Sequence, residues 1–156
     1  MTVASEKLRR TARLYAGGVT VVTVVAPDGA HGMTASSFAV VSLDPPLILV
    51  SLEETSRTRS LILERERFAV NILRETQESI AKSFSVSGRK EFDTIPHRLD
   101  EDGAPLLTDA LAHLSCKTTE VIEAGDHDLF VAEVIATEAF EGSPLLYFDR
   151  GYHRLK

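Results

Sequence analysis

Several hydroxyl-bearing stretches hold most of the residues in this chain that could do chemistry. The first is HGMTASSF, residues 31–38, where Thr34, Ser36 and Ser37 surround Ala35. A turn would favour Asn, Asp, Gly or Pro there, and a buried strand would favour Val and Ile. Small uncharged residues suit another task. They let a flat ligand approach the backbone, whose N–H groups and nearby hydroxyls can pair with carbonyl and ring-nitrogen edges. The second is Ser51, at the end of an apolar run, and the third is TSRT, residues 55–58. Ser56 and Thr58 stand where a helix is predicted to start, and free N–H groups together with the helix dipole favour a phosphate at such a place. Arg57, Arg59, Arg89 or Lys90 could neutralise it. Composition alone favours a plainer account, in which Ser56 is an N-cap and the other serines fill loops.

Other chemistries find little support. No GxGxxG or GxxxxGK[ST] follows a strand, and no HExxH, CxxC or GxSxG occurs. The histidines at 31, 97, 113, 127 and 153 are scattered, which gives a metal site no motif. His127 is the most suggestive of them. It lies in GDHD, residues 125–128, between Asp126 and Asp128 at a predicted hairpin tip, and can present a donor away from the sheet. On the residues alone, a polar turn accounts for it as well. The one cysteine, Cys116 in AHLSCKTTEV, has no partner for an internal disulfide and reads as a small buried strand residue.

The elements that must position these residues are mostly strands. SEKLRRTARLY (5–15) has the period of a short amphipathic helix with Ser5 as its cap. VTVVTVVA (19–26), FAVVSL (38–43), LILVSL (47–52) and FAVNIL (68–73) are strand runs, and PDGA (27–30) is turn chemistry. A helix is predicted after Thr55 or Ser56, and another over 76–85 with Thr76 near its cap. Residues 87–109 read as a long irregular region. Residues 112–124 and 129–140 alternate as strands about a tight GDHD turn, and PLLYFDRGYHRL closes the chain. At least six strands against two or three short helices, without regular βα alternation, argue against a doubly wound parallel sheet. They predict a closed, mostly antiparallel β-barrel with peripheral helices, because closure removes sheet edges. The chain of 156 residues fits a single domain, 1–156.

Composition narrows the partners. Hydrophobic residues make up 44% and charged residues 26%, ordinary values for a soluble domain, and the formal charge is −6. A nucleic-acid partner would want a clustered basic face. The compact basic group Lys7, Arg9, Arg10 and Arg13 reads instead as the solvated face of the first helix. Residues 1–15 are charged throughout and no apolar run reaches about 20 residues, so a cytoplasmic protein without a membrane span is expected.

Taken in order, GVTVVTVV, HGMTASSFAVVSLDPPLILVSL, FAVNIL, GRKEF, GAPLLTDALAHLSC, AGDHDLFVAEV and PLLYFDRGY resemble the short-chain flavin reductase family. Its members are the reductase components of two-component flavin-dependent monooxygenases. The likeness runs over residues 8–153, and the GMTASSF and GDH pieces are its most specific parts. It implies an FMN-binding split barrel, a homodimer, and hydride transfer from NADH or NADPH to FMN or FAD. Such a transfer needs stacking and edge donors rather than a strong acid or base, in keeping with the missing acid–base dyad.

The resemblance also implies residue roles. Thr34, Ala35, Ser36 and Ser37 would hold the flavin ring, and Ser51, Ser56 and Thr58 would surround the ribityl chain and phosphate. Many relatives carry Cys where this chain has Ser51. Lys90 and Phe92 match a segment that closes over the flavin. His127 would meet the nicotinamide, with Tyr152 beside it. A monooxygenase component would receive the reduced flavin. The alternative on the same barrel is a flavin-binding carrier or sensor without turnover.

Overall fold

The run Val21-Val22-Thr23-Val24-Val25 is branched at every Cβ, which fits a pleated backbone packed on both faces. It forms the strand β2 (Thr20–Ala26), in which all but one residue are buried. The chain, described at residues 2–88 and 92–156 of a computed structural model, is built around that strand. Before it come α1 (Ser5–Ala12) and the two-residue β1 (Gly17–Gly18). After it come β3 (Gly29–Ala35), β4 (Ala39–Leu43) and β5 (Pro46–Glu53), then α2 (Arg57–Arg65), β6 (Arg67–Ile72) and α3 (Glu78–Ser85). The short pair β7 (His97–Leu99) and β8 (Pro105–Leu107) follows a 3-10 turn at Phe92–Thr94. The long strands β9 (Ala112–Ala124) and β10 (His127–Ala139) and the small hairpin β11 (Leu146–Phe148) and β12 (Gly151–His153) complete the chain.

The architecture is mainly β with three helices among the described residues. One seven-stranded sheet runs β3-β2-β6-β9-β10-β5-β4, with every pairing antiparallel. Its ladders end at β3 and β4, and no ladder joins those two edges among the described residues. The sheet nonetheless curls round a common interior. Val22 and Val24 of β2 share a buried cluster with Ile48, Val50 and Leu52 of β5 and Phe130 of β10, and Leu61 and Ile62 of α2 belong to it. A second cluster joins Val19 and Val21 to Phe84 of α3, Phe92 and Leu145. Between the ladders, Asn71 pins β8 to the sheet. Its Nδ2 donates to Val21 O and Thr23 Oγ1, each at 3.1 Å, and its Oδ1 accepts from Leu107 N–H at 2.8 Å.

Local details differ from the sequence reading where caps are concerned. Ala4, not Ser5, occupies the cap position of α1, and no side chain caps it. That helix buries none of its residues, so the basic face is solvated as expected, but the apolar face of the expected amphipathic helix is exposed as well, with Leu8 and Tyr15 uncovered. The cap position of α3 is Gln77, with no side-chain cap bond. Gln77 instead accepts from Arg74 N–H and donates to Thr108 O, both at 2.9 Å, so a tertiary contact uses the amide that a cap would have used. The region 87–109 carries more structure than its Gly and Pro content suggests, namely the 3-10 turn and the β7–β8 pair.

Candidate functional site

HGMTASSF is strand up to Ala35 and loop from Ser36 to Phe38. Its hydroxyls are mostly engaged within the protein. Thr34 Oγ1 donates to Ala81 O of α3 at 2.7 Å. Ser37 Oγ donates to Ser51 O at 2.8 Å and accepts from Ser51 N–H at 3.1 Å. Ala39 pairs with Leu49 across the β4–β5 ladder, so Ser37 falls opposite Ser51 in the same register. There its side chain makes the two bonds that a backbone pair would make. Ala35 is buried in the main core cluster. Ser36 is exposed and has no hydrogen bond among the described residues. Gly32 has a packing role: a Cβ there would stand 2.8 Å from Phe84 Cε1, so only glycine lets β3 lie against α3 at this distance.

Beside this strand lies an open cavity of about 730 Å³. Thr34 and Ser36 line one side, and Thr55, Ser56, Arg57 and Thr58 line another. Phe84 and Lys82 of α3 and Tyr147, Arg150 and Tyr152 of the last hairpin complete it. The start of α2 is the most polar wall. Ser56 is the N-cap, its Oγ accepting from Arg59 N–H at 3.3 Å and lying 3.4 Å from Met33 Sδ. The next two amides, of Arg57 and Thr58, precede the first intrahelical donor and are therefore open to a ligand. Thr58 is buried, yet its Oγ1 has no hydrogen-bond partner among the described residues. A buried hydroxyl without a partner costs about 1–3 kcal/mol, and this one belongs to a residue of the cavity wall.

Cations ring the cavity. Arg57 is held by Asp28 at 2.7 Å, and Lys82 by Glu78 at 2.6 Å, one turn away on α3. The Glu78 hydrogen bond raises the Lys82 ammonium above its ordinary range, and the same bond lowers the Glu78 carboxyl. Lys82 Nζ lies 6.0 Å from the centroid of the Tyr152 ring, at the outer reach of a cation–π contact. Burial pushes the Tyr152 phenol upward, with Tyr147 adding to it. These two tyrosines face each other across β11 and β12, edge to face at 5.3 Å. Arg150 sits in the left-handed region at φ 68° in the turn between those strands.

The hairpin that carries His127 has a two-residue turn, Gly125-Asp126, with Gly125 at φ 68°. Glycine at the first turn position is what a type II′ hairpin requires. The tip is therefore Gly125-Asp126, and His127 is the first residue of β10, paired with Ala124 on one side and Glu53 on the other. His127 itself does not line the cavity, but its cross-strand neighbour Glu53 does. His127 Nδ1 lies 2.7 Å from Asp126 Oδ1, a contact that holds the exposed Asp126 carboxyl below its usual range.

The structure thus gathers Thr34, Ser36, Ser56, Thr58 and Tyr152 around one cavity. It sets Ser37 and Ser51 behind that wall as a bonded pair, and Ala35 in the core. Phe92 is buried against Phe84 at 5.4 Å between ring centroids, beneath the cavity. Lys90, with Arg89, lies outside the described residues. Cys116 is buried, and desolvation followed by the Asp100 charge pushes its thiol up to about 12, so it is inert packing. Lys82, Tyr147 and Arg150 are lining residues that the sequence reading did not single out. A signal for the last two existed, since YFDRGY is a hairpin turn with a tyrosine on each side.

Residues 12–156 match the model of the flavin reductase like domain. The chain is 35% identical over 150 residues to the FMN reductase (NADH) SmoA of Agrobacterium fabrum, covering 96% of this chain and 86% of that protein. It is 36% identical over 134 residues to the reductase component of 4-nitrophenol 4-monooxygenase/4-nitrocatechol 2-monooxygenase from Rhodococcus opacus, covering 86% and 72%. Among solved structures, the NADH:FAD oxidoreductase SgcE6 of Streptomyces globisporus, in complex with NAD and FAD fragments, superposes with a TM-score of 0.93. The identity is 34%, over 100% of this chain and 98% of that one.

Proposed function

This chain belongs to the flavin reductase like family, and on that premise we propose that it transfers a hydride from NAD(P)H to FMN or FAD and supplies the reduced flavin to a separate monooxygenase component. The observation that carries the reading for these particular residues is the buried, unpartnered Thr58 hydroxyl beside the open amides of α2, inside a cavity of about 730 Å³. It fits an anionic, hydroxyl-rich group such as a ribityl phosphate.

When bound, the flavin supplies an acceptor for the hydride of the reduced nicotinamide. The protein's own task is to bind and orient. Ser56, Thr58 and the first amides of α2 would anchor the phosphate end. Ser36 and the backbone of Thr34 and Ala35 would meet the ring edge. Ser37, bonded to Ser51, would hold that wall in place rather than contact the ligand through a free hydroxyl. Lys90 and Phe92 are assigned to the segment that closes over the flavin, and His127 and Tyr152 to the nicotinamide. No residue is asked to act as a strong acid or base, because the reacting atoms are already in the two rings.

On the same premise we take the curled sheet as a split barrel, and the whole of 1–156 as one domain. The working form is taken to be a homodimer. Its support here is the edge strand β4, which exposes Val40, Val41 and Leu43, the kind of surface a subunit contact covers. A cytoplasmic setting, rich in reduced nicotinamide nucleotides, suits the free thiol of Cys116. No helix among the described residues is long and apolar enough to cross a membrane.

The test is direct. The purified chain is given NADH or NADPH with FMN or FAD, and loss of the reduced-nicotinamide absorbance is followed. Oxidation that rises with added flavin is expected. Flavin binding without turnover would leave a carrier or sensor, and neither binding nor turnover would refute the reading. His127→Ala should raise the KM for the nicotinamide and leave flavin affinity nearly unchanged; equal loss of flavin binding would move His127 out of that role.

A further inference from the structure

From His127 onward β10 alternates half-buried and buried residues, and its inward row begins Asp128, Phe130, Ala132. Phe130 and Ala132 lie in the main core cluster with Leu52, Leu61 and Ile62. Asp128 stands in the same row, and it is the one Asp, Glu, Lys or Arg among the buried described residues. Its side chain is 5% exposed, and its Oδ2 accepts from Arg59 Nε at 2.7 Å. Arg59 is partly exposed, and a pair desolvated on its carboxylate side is a poor way to gain stability, since apolar residues of similar volume serve as well. What the pair does supply is direction: one carboxylate position satisfies one guanidinium position.

Its two ends stand at significant places. Asp128 follows His127 in the chain. Arg59 follows Thr58, and its own N–H donates to the N-cap hydroxyl of Ser56. The pair therefore joins the root of the His127 hairpin to the first turn of α2 across the top of the core. The β5 ladder also holds β10, pairing His127–Glu133 with Glu53–Leu47, but beyond it residues 119–126 are exposed, and the remaining contacts of the turn are the Glu54 N–H bond to Asp126 O and the surface contact of Asp126 with His127.

We propose that Arg59 and Asp128 are positioning residues, which fix the His127 hairpin relative to the α2 N-terminus and so set the relative placement of the two ligands. The proposal rests on the reductase reading for what those two ends bind. Transfer between two bound groups falls steeply with misplacement, on the order of 100-fold for about 1 Å, so a link that fixes both ends acts on the reaction without touching it.

The test compares the wild-type chain with Asp128→Asn, Arg59→Lys and the apolar pair Arg59→Met/Asp128→Leu. Four quantities are read: thermal midpoint, amide exchange of residues 124–130 without ligand, flavin Kd, and KM and kcat for NADH. The apolar pair should melt at or above the wild-type temperature, yet exchange faster over the hairpin and raise KM for NADH about tenfold. Asp128→Asn should melt lower, because Arg59 loses its partner, and should show part of the exchange and KM effects with flavin Kd within about twofold; it carries the test if the double variant fails to fold. Arg59→Lys, which keeps the charge, should recover part of the KM. Wild-type exchange or a wild-type KM in the apolar pair overturns the proposal. A wild-type chain that binds flavin without oxidising NADH refutes the reductase reading instead, and the exchange comparison still decides whether the pair fixes the hairpin.

Discussion

HGMTASSF and TSRT carry the same hydroxyl chemistry in the wall of one cavity, and they use it differently. In the first, Thr34 is bound to Ala81 O and Ser37 to both backbone groups of Ser51. In the second, Ser56 caps its helix and Thr58 is left buried without a partner. One segment is a wall held in shape by its own side chains. The other keeps a buried hydroxyl without a partner and two amides that the helix does not use. The difference shows that density of Ser and Thr does not locate a binding group; the unsatisfied group does.

Four substitutions would break or sharpen that contrast, from the largest effect to the smallest. Gly32→Ala strikes the wall where it is tightest, with the new Cβ 2.8 Å from Phe84 Cε1. It should destabilise the fold by about 1–3 kcal/mol, read as a lower urea midpoint. Recovery of the midpoint in Gly32→Ala/Phe84→Leu would confirm the clash, and an unchanged single variant would deny it.

Thr58→Val removes the orphan hydroxyl while keeping its shape. Flavin affinity should fall about tenfold, near 1.4 kcal/mol, while the ligand-free protein melts at the same temperature or higher because an unmet buried group is gone. A lower melting point with intact affinity would reverse the assigned roles of the two segments. Ser37→Ala should show the opposite pattern, with stability down by about 1 kcal/mol and flavin affinity changed less than in Thr58→Val, measured by melting and by titration. Ser36→Ala is the mildest. Its exposed side chain should shift stability by less than about 0.5 kcal/mol, so any effect on flavin titration reports direct contact.

The strands were readable because their cause is local. Branched runs such as Val21–Val25 and the alternation of β9 and β10 state strand and face in the order of residues themselves. The turn at Gly125 was readable for the same reason, although the strand begins at His127 and not at 129. Caps were less so. Ser5 and Thr76 are good capping types, yet Ala4 and Gln77 hold those places, and Gln77 is bound instead to Arg74 and Thr108. The site was legible as a set of residue types, with Thr34, Ser36, Ser56, Thr58 and Tyr152 brought to one cavity. Lys82, which reaches that cavity from α3, has nothing in its local sequence to distinguish it from any other helix-surface lysine.

By itself, then, the order of residues determined a mainly β chain, a short helix capped at Thr55 or Ser56, a glycine-turned hairpin carrying His127 and a family likeness running through most of its length. It could not decide which hydroxyl is already bonded. Thr34 finds its acceptor 47 residues away, and Ser37 finds its partner 14 residues away. Asp128 meets Arg59 across 69 residues. A hydroxyl or a carboxylate has the same identity whether paired or bare, and only the packing of distant segments fixes which of the two it is.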